Sequence, residues 1–597
     1  MTSTATRPGS PVGASFDPKL SPSPVRAFAE RMSAAGVPRI AFRIVLLAGL
    51  AYLVLPPVVV MVWKSFVGGV SLHGTFSFSA YHAIASSDLG QTTAQTVEFA
   101  GATTVVSMVV GTAMAWSVAR TDAPARWLAY LVAFVGLAVP GIVNVIGWIL
   151  LFGNGNGQGD TVLSSWLGHQ VSISVESLTG MVFVESLLTI PIVFFLMIGP
   201  LQAFNASLEE AAAVHGAPGP IVLRRITAPL LFPVLAGVTL LVVIRSVQAF
   251  EVPVLLGVPA RTHTFTAQLY ETLHGSLLPD YSQAAAYGTV LIVALLVLVA
   301  LENRLTRDAR RYAVVTGKNA GTTRRRLRRR TRYLPVALNV VLLICYLLPT
   351  LYLLYASFEP NISGTLRLHD LTFGNYRELW RAPGFTKAAG DTLLVAAITA
   401  LATVVITLLA GWISARSRTV PARAVNLLAN IPLVIPGIVF GFGILLFYLY
   451  SPIPLFGTLW AIVLAFVALY LPYGIRSLRP AIVGISTELE EAARISGASE
   501  SRVARRIVLP LVAQSATGAG LFVFFNAFRE LAVAALVVTA STPLLSTQLL
   551  DALVNGDLTI VAALGTFIMA VSLVVGAVAF RIVGFRRGAG QMTKGVG

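Results

Sequence analysis

From residue 40 to residue 582, apolar residues gather in runs of about twenty or more, separated by shorter polar segments. Read as helices, the runs predict spans near 40–63, 95–119, 127–152, 179–200, 229–250 and 283–302, then near 333–357, 391–415, 424–450, 456–478, 508–528 and 559–582. Each is long enough to cross ~30 Å of hydrocarbon at ~1.5 Å per residue. The pattern predicts an all-α polytopic membrane protein with about 12 transmembrane helices. Six spans per half is an even number, so both halves enter the membrane the same way round. The expected architecture is two parallel six-helix repeats about a pseudo-twofold axis along the membrane normal, an arrangement that encloses a central pathway. The predicted domains are a disordered, Ser/Pro/Ala-rich cytosolic tail (1–38), a first membrane domain (39–302), a basic cytosolic linker (303–332), a second membrane domain (333–582) and a cytosolic tail (583–597). No secretory signal is evident, because the first apolar run begins near Ile40 behind a long polar leader.

The polar segments carry a repeat. Glu210-Ala211-Ala212, Gly216, Ile226 and Pro229 recur as Glu491-Ala492-Ala493, Gly497, Ile507 and Pro510, every position displaced by 491 − 210 = 281. The spans repeat too. Leu137-Ala138-Val139-Pro140-Gly141-Ile142-Val143 resembles Leu433-Val434-Ile435-Pro436-Gly437-Ile438-Val439, and Ser117-Val118-Ala119-Arg120 resembles Ile413-Ser414-Ala415-Arg416. Here the displacement is 296, so the first half carries 15 extra residues, expected in the Gly/Asn-rich stretch Gly153–Asp160. Each polar loop should fold as a short helix, a turn and a second helix. Ser207 with Glu210, and Thr487 with Glu490, have capping-box spacing. The alanines favour helix and leave little bulk. Gly216 and Gly497 permit positive φ, and Pro229 and Pro510 suit the first turn of the next span.

Charge orients the chain. Only 12% of the 597 residues are charged, against 56% hydrophobic, and the net charge of +17 is local. Lys and Arg are absent from Ser65–Glu98 and Gly153–Gly180. They concentrate on the opposite side at Arg120, Arg126, Arg224, Arg225, Arg416, Arg418, Arg423, Arg494, Arg502, Arg505 and Arg506. Both termini and both repeated loops are therefore expected in the cytoplasm. Arg367, Arg377, Arg381 and Lys387 fall on the predicted outside and run against this rule. The run from Arg324 to Arg330 reads as a topology signal beside anionic headgroups. Nucleic-acid binding is not expected, since no folded domain accompanies it. The single Cys345 excludes an intramolecular disulfide and a thiolate metal cluster.

The repeated loop resembles the EAA loop of ABC importer permeases, E-A-A-x3-G-x9-I-x-L-P. The second copy matches throughout, and the first departs only at Ala228. In that family the loops are coupling helices seated in grooves on two ATP-binding subunits. The resemblance assigns Glu210, Ala211, Ala212, Gly216, Ile226, Pro229, Glu491, Ala492, Ala493, Gly497, Ile507 and Pro510 to coupling. It implies two ATPase partners (a homodimer is the simplest assembly), an extracytoplasmic substrate-binding protein, and a multi-pass place in a bacterial inner membrane. No cofactor is expected in this chain: Thr316-Gly317-Lys318-Asn319 lacks the upstream glycine and the following Ser/Thr of a phosphate loop, so ATP and Mg belong to the partner.

Gln248-Ala249-Phe250-Glu251-Val252-Pro253, Asn526-Ala527-Phe528-Arg529-Glu530-Leu531 and Pro279-Asp280-Tyr281 look like fused ferric-iron permeases; permeases for thiamine, polyamines and phosphonates are related. Counted from Pro229 and Pro510, Glu251 and Glu530 lie ~33 Å and ~30 Å along their helices, near the outer mouth. No catalytic residue is expected; Glu251, Glu530 and Arg529 are the candidate pathway residues. Two readings stay open. The carboxylates are hard oxygen ligands for a trivalent cation in passage, or they are structural, paired with Arg245 and Arg529. His73, His82, His169, His263, His274 and His369 show no close metal-ligand spacing, and no stable metal site is expected. Glu98 and Glu185 could relay protons in a gradient-driven secondary transporter, or form interhelical hydrogen bonds. That transporter class shares the helix count but gives no reason for two matching loops. A membrane enzyme finds no catalytic constellation.

Overall fold

In the computed structural model the described residues are 37–69, 72, 74–153, 157–169, 172–203, 207–276, 278–306, 327, 329, 331–362, 369–416 and 419–592. Nearly all of the 1–38 tail, most of the linker with its arginine run, His73 and Arg367 lie outside them. The chain divides into two compact units, Met1–Gly49 and Leu50–Gly597. The described part of the first is the opening of helix α1 (Val37–Lys64). Among the described residues there is no strand, only an isolated bridge between Val67 and Phe76.

Among the described residues ten helices are long and apolar enough to span a membrane. In the first half these are α1, α2 (Leu89–Arg120), α5 (Leu178–Ala203), α7 (Ala228–Val247) and α9 (Tyr281–Thr306). In the second they are α10 (Leu334–Ala356), α11 (Phe385–Arg416), α14 (Leu459–Val483), α16 (Leu509–Phe528) and α18 (Leu558–Met592). The expected spans 127–152 and 424–450 are not single helices. The first is α3 (Trp127–Ala138) and α4 (Gly141–Phe152), bent by 93°; the second is α12 (Val420–Asn430) with its 3₁₀ extension to Val434, then α13 (Gly437–Tyr450), bent by 111°. Pro140 and Pro436 stand at the breaks with ψ near 139° and 143°. A proline supplies no amide to the helix ladder and forces its predecessor extended, so the helix stops there. A length count passes through such a point because both sides are apolar.

Other boundaries also move. α2 and α11 are 32 residues each, beyond the 95–119 and 391–415 expected. At about 1.5 Å per residue each is ~48 Å long and outreaches the hydrocarbon at its ends. The helices predicted to begin at 229 and 508 are extended backward by π-helical turns, Leu223–Thr227 and Ala504–Val508, again 281 apart. Pro229 and Pro510 cannot donate to the preceding turn, and a π-turn is one way to pass the missing bond. The 15 extra residues of the first half include a helix, Gln158–Leu167, with no helical counterpart between Tyr450 and Leu459.

α2 lies on α5, and α11 on α14, through small residues: a Cβ on Gly111 would touch Val193, and one on Gly474 would touch Thr407. In a membrane such close backbone approach is the main source of helix–helix attraction. The halves are joined reciprocally. α10 crosses the bend of the first half, with the Pro349 carbonyl 2.5 Å from where a Cβ on Gly147 would sit and the Tyr346 hydroxyl donating to Leu187 O at 2.6 Å. α1 crosses the bend of the second half, with the Pro57 carbonyl 2.5 Å from a Cβ on Gly443.

Candidate functional site

The two repeated loops form helices α6 (Ser207–Val214) and α15 (Thr487–Ile495). Both end at a glycine in the left-handed region, Gly216 at φ +76° and Gly497 at φ +79°. Ala217 N donates to Ala212 O and Ala498 N to Ala493 O, each at 3.0 Å, the six-residue bond that closes a helix end of this kind. The second-half cap differs from its expectation. Ser486, not Thr487, is the N-cap, accepting from Glu488 N at 3.3 Å. Glu490 does not reach back to the cap, because arginines hold it. For the first loop, the side chains of Ser207 and Glu210 lie outside the described residues.

Within each loop the motif divides by exposure. Ala211, Gly216, Pro229, Glu491, Ala492, Gly497 and Pro510 are exposed; Ala212, Ile226, Ala493 and Ile507 are half-buried. Ala493 and Ile507 pack against the cluster Ile482, Ile485, Val503, Val508 and Val512, which mounts the loop on the ends of α14 and α16. The helix tips carry two residues the motif does not include: Val214 is 86% exposed and Ile495 is 88% exposed. They occupy equivalent positions, 281 apart, so comparing the two copies beyond the motif letters would have found them. Each docking helix thus leaves one apolar side chain almost wholly in the open at its capped tip.

Sequence reasoning also missed the inward face. Glu490 is 2% exposed and takes Arg416 at 2.7 and 2.9 Å, with Arg494 at 3.5 Å; Arg416 also donates to Ile485 O at 2.8 Å. In the first half Arg120 holds Glu209, whose other oxygen accepts from Thr227 Oγ1 at 2.5 Å. The signals were present: Arg120 and Arg416 close the repeated Ala-Arg dipeptides, and Glu209 and Glu490 sit 281 apart, one position before the motif glutamates.

The candidate pathway residues meet elsewhere, around a cavity of about 310 Å³ between the halves, lined by Glu185, Arg245, Glu251, Tyr470, Arg529 and Glu530 among others. Both proline bends border it through Gly141 and Gly437. A Cβ on Gly141 would press on Glu251 Oε2, so a larger residue there would push that carboxylate aside. The rise count along the helices overshoots: α7 stops at Val247 and α16 at Phe528; Glu251 opens the next short helical segment, 251–257, and Glu530 sits on the turn after α16. Glu530 accepts from the Tyr470 hydroxyl at 2.6 Å and from Val533 N at 3.3 Å. Arg529 lies over the Phe525 ring at 4.4 Å and donates to Asn526 Oδ1 at 3.3 Å. Among the described residues neither glutamate has an arginine within ion-pair distance, although Glu251 stands in the field of Arg529, Arg245 and Glu530. Glu185, 5% exposed inside α5, adds a third carboxylate facing Arg245, whereas Glu98 is exposed. Gln248 Nε2 donates to Val434 O at 3.2 Å and so ties the first-half turn to the second-half bend. Among the described residues no three His, Cys, Asp or Glu side chains converge as metal ligands. The cavity lining thus carries three carboxylates and two guanidinium groups, from Glu185, Glu251, Glu530, Arg245 and Arg529.

Comparison with known proteins places this geometry. The model for the binding-protein-dependent transport system inner membrane component family matches twice, at residues 107–311 and 403–587, one match per half. A probable ABC transporter permease of Sinorhizobium fredii is 26% identical over 501 residues, covering 82% of this chain and 86% of that protein. A ferric transport system permease protein of Actinobacillus pleuropneumoniae is 24% identical over 481 residues, 79% of this chain and 68% of its own. A thiamine transport system permease protein of Brucella suis is 24% identical over 362 residues, 60% of this chain and 62% of its own. With two copies of the family's domain and ten to twelve apolar spans, the chain belongs to the family of binding-protein-dependent transport system inner membrane components, as a multi-pass membrane protein.

Proposed function

We propose that this chain is the permease of an ATP-driven importer, that it carries ferric iron, and that two identical ATP-binding subunits dock on α6 and α15. The observation that carries the reading is the pair of capped docking helices, equal in spacing and each presenting an exposed apolar tip, Val214 and Ile495. ATP and Mg belong to the partner subunits, an extracytoplasmic binding protein supplies the substrate, and both termini lie in the cytoplasm with the docking helices. The relatives support iron over thiamine: the ferric permease aligns over 79% of this chain, the thiamine permease over 60%. A cavity with three carboxylates and Tyr470 suits a hard cation, which prefers oxygen donors.

The test is uptake of radiolabelled ferric iron by cells co-producing this chain, its ATP-binding subunit and its binding protein, against a Glu210→Ala/Glu491→Ala control. ATP-dependent uptake that disappears in the control supports both substrate and coupling. No iron uptake from an assembled, ATP-hydrolysing complex keeps the importer and moves the substrate to thiamine, polyamines or phosphonates.

A further inference from the structure

Each half contains one unbroken line of bonds from its docking helix to the cavity. In the first, Glu209 on α6 is held by Arg120, the last residue of α2. Twenty-four residues earlier on that helix, Thr96 Oγ1 donates to Thr92 O at 2.7 Å and accepts Phe265 N at 3.1 Å. Phe265 opens the short helix α8 (Phe265–His274). In α8, Thr266 Oγ1 donates to Ala249 O at 2.6 Å, two residues from Glu251.

The second half repeats each step. Glu490 on α15 is held by Arg416, the last residue of α11. Twenty-four residues earlier, Thr392 Oγ1 donates to Ala388 O at 2.6 Å and accepts Leu545 N at 3.0 Å. Leu545 opens α17 (Leu545–Val554), whose Ser546 Oγ donates to the Glu530 carbonyl at 2.7 Å. Between threonine and arginine each helix is ~36 Å long, and an α-helix is stiff along its axis.

We propose that α2 and α11 are transmission rods that deliver movement of the docking helices to the segments bearing Glu251 and Glu530. This deepens the importer reading and rests on it. Arg120 and Arg416 fasten the rods at one end, and Thr96 and Thr392 at the other; all four are positioning residues. Each threonine hydroxyl donates into its own helix and accepts from the first amide of the next, so it ties the start of the short helix to the long one. Charges at the last turn suit the arginines, since a helix C-terminus attracts cations.

The test uses the complete complex in lipid, with Cys345→Ser and a single cysteine at Asn526→Cys in the cavity wall. The readout is the rate of labelling by a membrane-impermeant thiol reagent with and without ATP and vanadate, beside ATP hydrolysis. In the parent, nucleotide is expected to change the labelling rate at least fivefold. With Thr96→Val and Thr392→Val, hydrolysis should stay within twofold of the parent while the labelling change falls below 1.5-fold. Thr96→Ser and Thr392→Ser, which keep the hydroxyl, should restore it. The charge swap Arg120→Glu with Glu209→Arg should transmit better than either single change. A valine variant whose cavity still responds to nucleotide overturns the rods alone, as does one in which hydrolysis and response fall together in a folded complex. A parent that binds no ATP-binding subunit overturns the coupling reading and the rods with it.

Discussion

The two halves share a skeleton but fasten their glutamates differently. In the docking loops, Glu490 is buried and gripped by two arginines, whereas Glu209 is 27% exposed and held by Arg120 and Thr227. Around the cavity, Glu530 accepts from Tyr470 and Val533, whereas no hydrogen bond to the Glu251 carboxylate is found among the described residues. At both sites the second half is the firmer one. Backbone geometry is shared because the turns, bends and π-turns depend on Gly and Pro at fixed spacing. Anchoring diverges because it depends on single polar side chains, which each half can change without altering its path.

The comparison can be broken by paired substitutions. The largest expected difference is between Glu490→Ala and Glu209→Ala. Removing Glu490, 2% exposed and bound to two arginines, costs about 3 kcal/mol; removing Glu209, 27% exposed and bound to one, costs about 2 kcal/mol, because it strips that partner from Arg120, 6% exposed. Thermal unfolding in detergent should show the Glu490 variant clearly the weaker; equal losses would erase the asymmetry. Next, Gly147→Val and Gly443→Val should each cost about 2 kcal/mol by overpacking against the Pro349 and Pro57 backbones. Here the halves should behave alike, and a difference in monodisperse yield would show that one crossing is looser. Gly216→Ala and Gly497→Ala should lose about 1 kcal/mol each, since both positions need the left-handed conformation. Hydrogen exchange at the helix ends would report that loss. A smaller change in stability, below about 1 kcal/mol, is expected for Glu530→Gln, because glutamine still accepts from Tyr470. Glu251→Gln should leave stability unchanged and lower uptake more than Glu530→Gln does; the reverse order would assign the pathway role to the firmer glutamate.

Much of this was legible in the sequence for a physical reason. A span needs a length of apolar residues, and a left-handed helix end needs glycine, so both leave one-letter marks. The bends were written too, in Pro140-Gly141 and Pro436-Gly437, but a run of apolar residues on both sides masked them. The second capping box misled because Glu490 had a stronger partner than its own helix start. That partner, Arg416, is 74 residues away, and nothing local in the chain announces it. Likewise the glutamates beyond α7 and α16 were placed by counting rise along helices that had already ended. Pairings across long separations were visible only as a repeat, and the repeat said that they mattered without saying what they touched.

The crossing of α10 over the first half, and of α1 over the second, bears on how the protein is made. When the ribosome has completed residues 1–306, the groove at Gly136 and Gly147 is still open, because Tyr346 and Pro349 are not yet synthesised. The first half must therefore wait in the bilayer with a seam exposed to lipid, while α1 waits for a bend that comes almost four hundred residues later, at Gly443. Neither half can reach its final packing alone, so assembly is completed late, and a chain truncated in the linker should be a substrate for membrane quality control rather than a smaller working unit.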